Sequence, residues 1–124
     1  GVEVKQWPQR VDECDFLILC CALTSANMHM LNHDVIARMK KGAYIINVSR
    51  GGLIDEPALV QALQSGHIGA AALDVFQSEP LAVDSQLTSM SQVLLGSHNA
   101  SNTLEAVRAT NRKAVEAISE MLLK

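Results

Sequence analysis

The chain has 124 residues, a formal charge of -3, three cysteines and 48% hydrophobic residues, with aromatics at only 3%. That length suits one domain built on an aliphatic core of Leu, Ile, Val, Ala and Met. The charge provides no basic field for nucleic acid or an anionic membrane surface, and no apolar run is long enough to span a bilayer. An odd cysteine count, with Cys20 and Cys21 adjacent and no C-x-x-C, argues against a disulfide framework or a zinc site. No signal peptide is recognised, so a cytoplasmic, reducing compartment is expected.

In chain order, Val2 to Val4 is a short candidate strand. Asp15 to Ala22, DFLILCCA, is a continuous apolar run, the pattern of a parallel strand covered on both faces. Cys20 and Cys21 within it read as small buried hydrophobes. Asn32 is placed to cap a helix that carries Val35, Ile36 and Met39 and stops at Gly42, with Arg38, Lys40 and Lys41 at its basic end. AYIINV, from Ala43, is the next strand. Asp55 caps a second helix with Pro57 in its first turn, apolar residues at Leu59, Val60 and Leu63, and Gly66 at its end. GAAALDVF is a small-residue strand, a loop runs from about Gln77 to Gln92, and VLLG is a last short strand. Ser101 or Thr103 starts a final helix with Leu104, Val107, Ala114, Val115, Ile118, Met121 and Leu122 on one face.

Strands and helices alternate, and the connections are too long for hairpins. This predicts an α/β fold: βαβ units forming a parallel sheet with flanking helices. Ligands of such sheets bind beyond the carboxyl ends of the strands. Four strand ends therefore matter: Leu23-Thr24, Arg50 with Gly51 and Gly52, Asp74 with Glu79 beyond it, and His98. The glycine pair allows a sharp turn and leaves room for a flat ligand against the backbone. Arg50 can grip a carboxylate with two parallel hydrogen bonds; the blander alternative pairs it with Asp55 or makes it a helix cap. His98 can exchange a proton near neutrality, and a carboxylate such as Glu79 on its other nitrogen would fix the tautomer. The alternative is a loop glutamate and a histidine bonded at a helix start. His29, His33 and His67 read as surface or capping residues.

INVSRGGLIDEPALVQALQSGHIGAAALDVFQSEPL resembles the signature of the D-isomer-specific 2-hydroxyacid dehydrogenases. The similarity runs over nearly the whole chain. It implies that Arg50 holds the substrate carboxylate and carbonyl, that Glu79 orients the catalytic histidine, and that His98 is the acid/base. It implies cofactor contacts from Leu23, Thr24, Val48, Ser49, Arg50 and Asp74, with Asp74 at the nicotinamide carboxamide and Leu23-Thr24 by the adenosine half. The implied reaction moves hydride between NAD, or NADP, and C2 of a D-2-hydroxyacid or 2-ketoacid, with no metal. A homo-oligomer such as a dimer is expected because Phe16 to Ala22, apolar and without proline or internal charge, would be an unprotected edge strand. The sequence departs from the family pattern at Ala22, at Asn27 and at Gly96-Ser97 before His98. It contains no G-x-G-x-x-G and no acidic residue at the matching distance beyond one. Residues 1–124 are thus expected to be the second half of a Rossmann-type domain, without the first βαβ half and the substrate domain. Two rival expectations are a cofactor-binding regulatory module without turnover, and a fragment that assembles only with its missing half.

Overall fold

The computed structural model describes residues 3–123. Four strands, β1 (Phe16–Leu19), β2 (Ala43–Asn47), β3 (Ile68–Leu73) and β4 (Val93–Leu95), form one parallel sheet in the order β1-β2-β3-β4. Between them lie α1 (His33–Arg38) and α2 (Glu56–Gln64), and α3 (Leu104–Leu122) follows the last strand. Short 3-10 turns occupy Val11–Glu13, Gly51–Leu53 and Gln86–Ser89. Of the candidate strand at Val2 to Val4, Val2 lies outside the described residues, and Glu3 and Val4 are not in a strand.

The helix starts follow from their caps. Asn32 Oδ1 accepts from the Val35 amide at 3.1 Å, Asp55 Oδ1 from Ala58 at 3.4 Å, and Thr103 Oγ1 from Ala106 at 3.1 Å. Each bond satisfies an amide that the first helical turn cannot pair. Past α1 and α2 the chain turns through Gly42 and Gly66, both left-handed, with φ of 83° and 69°.

Alternate residues of the strands meet α1 and α2. Leu19, Ala43, Ile45, Ile68, Ala71 and Leu73 are buried together with Val35, Ile36, Leu59 and Leu63. The opposite face is uncovered among the described residues: Phe16 is 60% exposed, Ile18 57% and Leu94 72%. The double-sided cover expected for the apolar run is therefore absent, because α1 and α2 share one face and α3 buries no residue. On the bare face the rings of Phe16 and Tyr44 stack 5.1 Å apart. Cys20 and Cys21 are also exposed rather than buried, because pairing of β1 ends at Leu19 and both residues lie beyond it.

This one-sided core sets an expectation for core truncation. Ile45→Ala, at a fully buried position, should destabilise the chain by about 2–5 kcal/mol. Ile18→Ala on the bare face should cost no more than about 1 kcal/mol. Urea denaturation of the 124-residue chain measures both, and equal losses would contradict the one-sided cover.

Candidate active site

The register of the sheet aligns Leu19, Asn47, Leu73 and Leu95 as neighbours at the strand ends. The chain leaves each of these in a short loop, and the loops meet in a cleft of about 520 Å³. Arg50, Glu79 and His98 all line it, with Leu23, Met28, Phe76 and the backbone of Gly51 and Gly52. A neighbouring hollow of about 490 Å³ shares Phe76, Glu79 and His98 and is otherwise formed by Pro80, Leu81, Leu95, Gly96 and Ser97.

His98 Nδ1 lies 2.7 Å from Glu79 Oε2. With the carboxylate ionised, Nδ1 must carry the shared proton, and Nε2 has no bonded partner among the described residues. The Phe76 amide donates to Glu79 Oε1 at 3.0 Å, so both oxygens are engaged. The Glu79 carboxyl is held below its usual range, mainly by the hydrogen bond from His98, then by the Phe76 amide. Partial desolvation opposes this, and the charges of His98 and Arg50 add to it.

His98 adopts a left-handed backbone with φ 58°, uncommon without a glycine. Asp74 supports it. Its backbone carbonyl accepts from the His98 amide at 2.8 Å, and its carboxylate accepts from Asn99 at 3.2 Å and Ala100 at 2.8 Å. The Asp74 carboxyl is lowered by the Ala100 amide first, then by the Asn99 amide and the nearby His98, against a desolvation penalty. Gly96 is fixed by the same carboxylate: a Cβ there would overlap Asp74 Oδ1 and stand 3.1 Å from Asp74 Cα.

Gly51 has a different reason from the one its sequence suggests. Its φ is not left-handed, and a Cβ would overlap the carbonyl of Phe76 and the amide nitrogen of Gln77. The space is taken by the loop that carries Glu79, not left open for a ligand. A Cβ on Gly52 would meet the Leu23 side chain at 3.0 Å. Arg50 neither pairs with Asp55 nor caps a helix through its side chain; its Nη1 donates to the Ser49 carbonyl at 2.6 Å.

The other sequence-selected residues are not among those that line the cleft. The Thr24 amide and hydroxyl donate to Asn27 Oδ1 at 2.7 and 3.1 Å, and Asn27 Nδ2 donates to the Ala22 carbonyl at 2.8 Å. Asn27 thereby closes the turn after β1 with its amide. The Ser49 amide and hydroxyl donate to Asn47 Oδ1, while the Val48 side chain is exposed. Two residues were missed. His29, read as a surface residue, lines the cleft at φ 50°, its amide donating to the Gly52 carbonyl and its Nε2 facing Gln77 Nε2 at 3.0 Å. Asn47 is the other. Its signal in the sequence is the single polar residue closing the apolar run AYIIN.

The residues present fit the nicotinamide end of a dinucleotide. An apolar floor of Leu23, Met28 and Phe76 suits a flat ring, and Arg50 and His98 bring polar groups to the same cleft. A profile of the family described as "D-isomer specific 2-hydroxyacid dehydrogenase, NAD binding domain" matches residues 1–100. D-3-phosphoglycerate dehydrogenase 3, chloroplastic, of Arabidopsis thaliana is 41% identical over 118 residues, which are 95% of this chain and 20% of that protein. Glyoxylate/hydroxypyruvate reductase B of Escherichia coli is 42% identical over 112 residues, 90% of this chain and 35% of the relative. A crystal structure of a D-isomer-specific 2-hydroxyacid dehydrogenase from Xanthobacter autotrophicus Py2, in complex with NADPH and MES, superposes with a TM-score of 0.70 at 41% identity. That match covers 71% of this chain and 28% of the other. The chain belongs to the D-isomer-specific 2-hydroxyacid dehydrogenase family, and it spans about a fifth to a third of the length of these relatives.

Asp74 gives a pH-dependent expectation. Its carboxyl is depressed in the fold, so its stabilising effect is complete above the ordinary carboxylate pKa and is lost as pH falls through the lower folded value. Asp74→Asn leaves one acceptor for two amides and should lower the melting temperature at pH 7. The gap from the parent protein should narrow as pH falls through the depressed Asp74 value, where the parent's carboxyl becomes neutral like the amide. Thermal melts from pH 7 to pH 2 read this, and a gap that persists unchanged at the acid end would contradict it.

Proposed function

We propose that this family member acts within a longer protein as the carboxy-terminal part of the NAD(P)-binding domain of a dehydrogenase that interconverts a D-2-hydroxyacid and its 2-ketoacid. The observation that carries the reading is the His98–Glu79 pair at 2.7 Å in the same cleft as Arg50. A proton carrier, its orienting carboxylate and a fixed cation are the groups that this conversion needs from the protein.

In this reading Arg50 binds the substrate carboxylate through its planar fork and stabilises charge on the carbonyl oxygen. His98 Nε2 takes the hydroxyl proton in oxidation and returns it in reduction. Glu79 holds Nδ1–H, keeps the ring in the productive tautomer and favours the imidazolium when it forms. The nicotinamide cofactor supplies or accepts the hydride when bound. Leu23, Thr24, Val48, Ser49, Arg50 and Asp74 are the proposed cofactor-side residues, with NAD as the cofactor and NADP as the alternative. The complex of the Xanthobacter relative with NADPH supports keeping both. A homo-oligomer, a dimer in its simplest form, and a cytoplasmic location belong to the same reading. Three free cysteines support the second.

Reduction of glyoxylate or hydroxypyruvate by the full-length protein, followed as NADH or NADPH consumption, is the expected outcome. Nucleotide binding without any 2-ketoacid turnover would favour a regulatory module instead. His98→Asn should lower kcat by about 10²–10⁴, and an unchanged kcat would remove His98 from its role. The 124-residue segment alone contains no G-x-G-x-x-G and should show no turnover.

A further inference from the structure

We infer that Asn47 is a positioning residue that sets Arg50 for its anionic ligand; the inference rests on the substrate reading above and extends it to a residue behind the cleft. Asn47 is the one polar side chain among the described residues that is buried, at 0% exposure. It closes β2, between Leu19 and Leu73 of the neighbouring strands. An amide in such a place is costly unless every group on it is paired.

Both of its polar side-chain atoms are paired, and entirely locally. Nδ2 donates to the Arg50 carbonyl at 2.9 Å, and Oδ1 accepts from the Ser49 amide at 3.1 Å and the Ser49 hydroxyl at 3.2 Å. None of these bonds reaches another strand or a helix. The sheet is served by the Asn47 backbone, whose carbonyl accepts from the Asp74 amide at 2.9 Å. If the position were needed only for the core, an aliphatic side chain would fill it without polar groups to satisfy. What the amide adds is a clamp on residues 48–50. The Arg50 carbonyl is pinned by Asn47 Nδ2 and the Ser49 carbonyl by the Arg50 guanidinium. Beyond the clamp, Arg50 has an extended backbone and the chain turns at once into Gly51–Leu53. Asn47 therefore fixes the backbone from which the guanidinium leaves the strand.

The clamp needs a donor toward Arg50 and an acceptor toward Ser49. Asparagine supplies both at any pH. An ionised aspartate supplies only acceptors and would turn an oxygen toward the Arg50 carbonyl, whereas a protonated one regains a donor.

The test uses the full-length protein with flanking regions included, and oxalate as an unreactive stand-in for the substrate carboxylate. Binding is measured by calorimetry with NADH present. Asn47→Ala should weaken oxalate binding about tenfold or more, because the Arg50 carbonyl loses the donor that holds it. NADH affinity should fall less than oxalate affinity, since Ser49 and Arg50, the residues Asn47 bonds, are only part of the proposed cofactor side. Asn47→Asp should bind oxalate poorly at pH 8 and recover toward the parent value as pH falls to about 5.5, since burial raises a carboxyl's pKa. The parent protein should show no such extra gain. A melting temperature that drops while oxalate affinity holds, or NADH affinity that falls as much as oxalate affinity, would overturn the positioning role. So would Asn47→Asp without pH recovery, the deciding variant where Asn47→Ala does not fold. Oxalate binding by a parent protein that turns over no 2-ketoacid would defeat the proposed reaction and leave the Asn47 role to be decided by these affinities.

Discussion

The parallel register at the strand ends is the constraint on which everything else in the site depends. Leu19 pairs with Asn47, Asn47 with Leu73, and Leu73 with Leu95, so four strands finish in one row. Arg50 comes three residues after Asn47, Asp74 one after Leu73, and His98 three after Leu95. These short counts, applied from a common line, bring side chains 48 residues apart in sequence into one cleft. A one-residue slip of β4 would turn Leu94 into the core and send its loop off the row. The register is in turn fixed by the buried alternation of Ala43, Ile45 and Asn47 against Ile68, Ala71 and Leu73. The core that stabilises the sheet therefore also sets the dimensions of the site.

The loops beyond the row are interlocked rather than independent. The loop from β2 touches the loop from β3 where Gly51 lies against the Phe76 carbonyl, and the Phe76 amide in turn holds Glu79. The loop from β3 holds the loop from β4 twice, through Glu79 on the His98 ring and through Asp74 on the amides of Asn99 and Ala100. Two glycines make these approaches possible, Gly51 under Phe76 and Gly96 under Asp74. A cation, a carboxylate and an imidazole are thus spaced by backbone contacts that side-chain rotamers cannot relax. Preorganisation of this kind is what charge stabilisation in a cleft requires.

Much of this was legible in the sequence because it depends on local rules. Caps at Asn32, at Asp55 and at Ser101 or Thr103, and apolar runs bounded by turn residues, marked the elements, and the alternation of strand and helix marked the parallel sheet. Arg50, Glu79 and His98 were legible as strand-end residues, and the resemblance gave them roles. Nonlocal features were not legible. Nothing in DFLILCCA says that only one face of the sheet is covered, or that pairing stops before Cys20. Gly51 looked like space for a ligand because its true neighbour, Phe76, is 25 residues away. His29 looked like a surface residue because its place in the cleft depends on a bond between its amide and the Gly52 carbonyl.

The backbone at His98 shows where the site stores strain. A histidine at φ 58° gives up the conformational ease of an extended residue, a cost of order 1–3 kcal/mol that the surroundings must offset. Asp74 offers three acceptors to three successive amides, those of His98, Asn99 and Ala100. That arrangement holds the chain in its turn independently of the side chain that the turn displays. The imidazole is then oriented by Glu79 alone, through a single bond at Nδ1. Backbone placement falls to Asp74 and ring orientation to Glu79, and both carboxyls are held below the usual carboxylate range, first of all by the hydrogen bonds they accept.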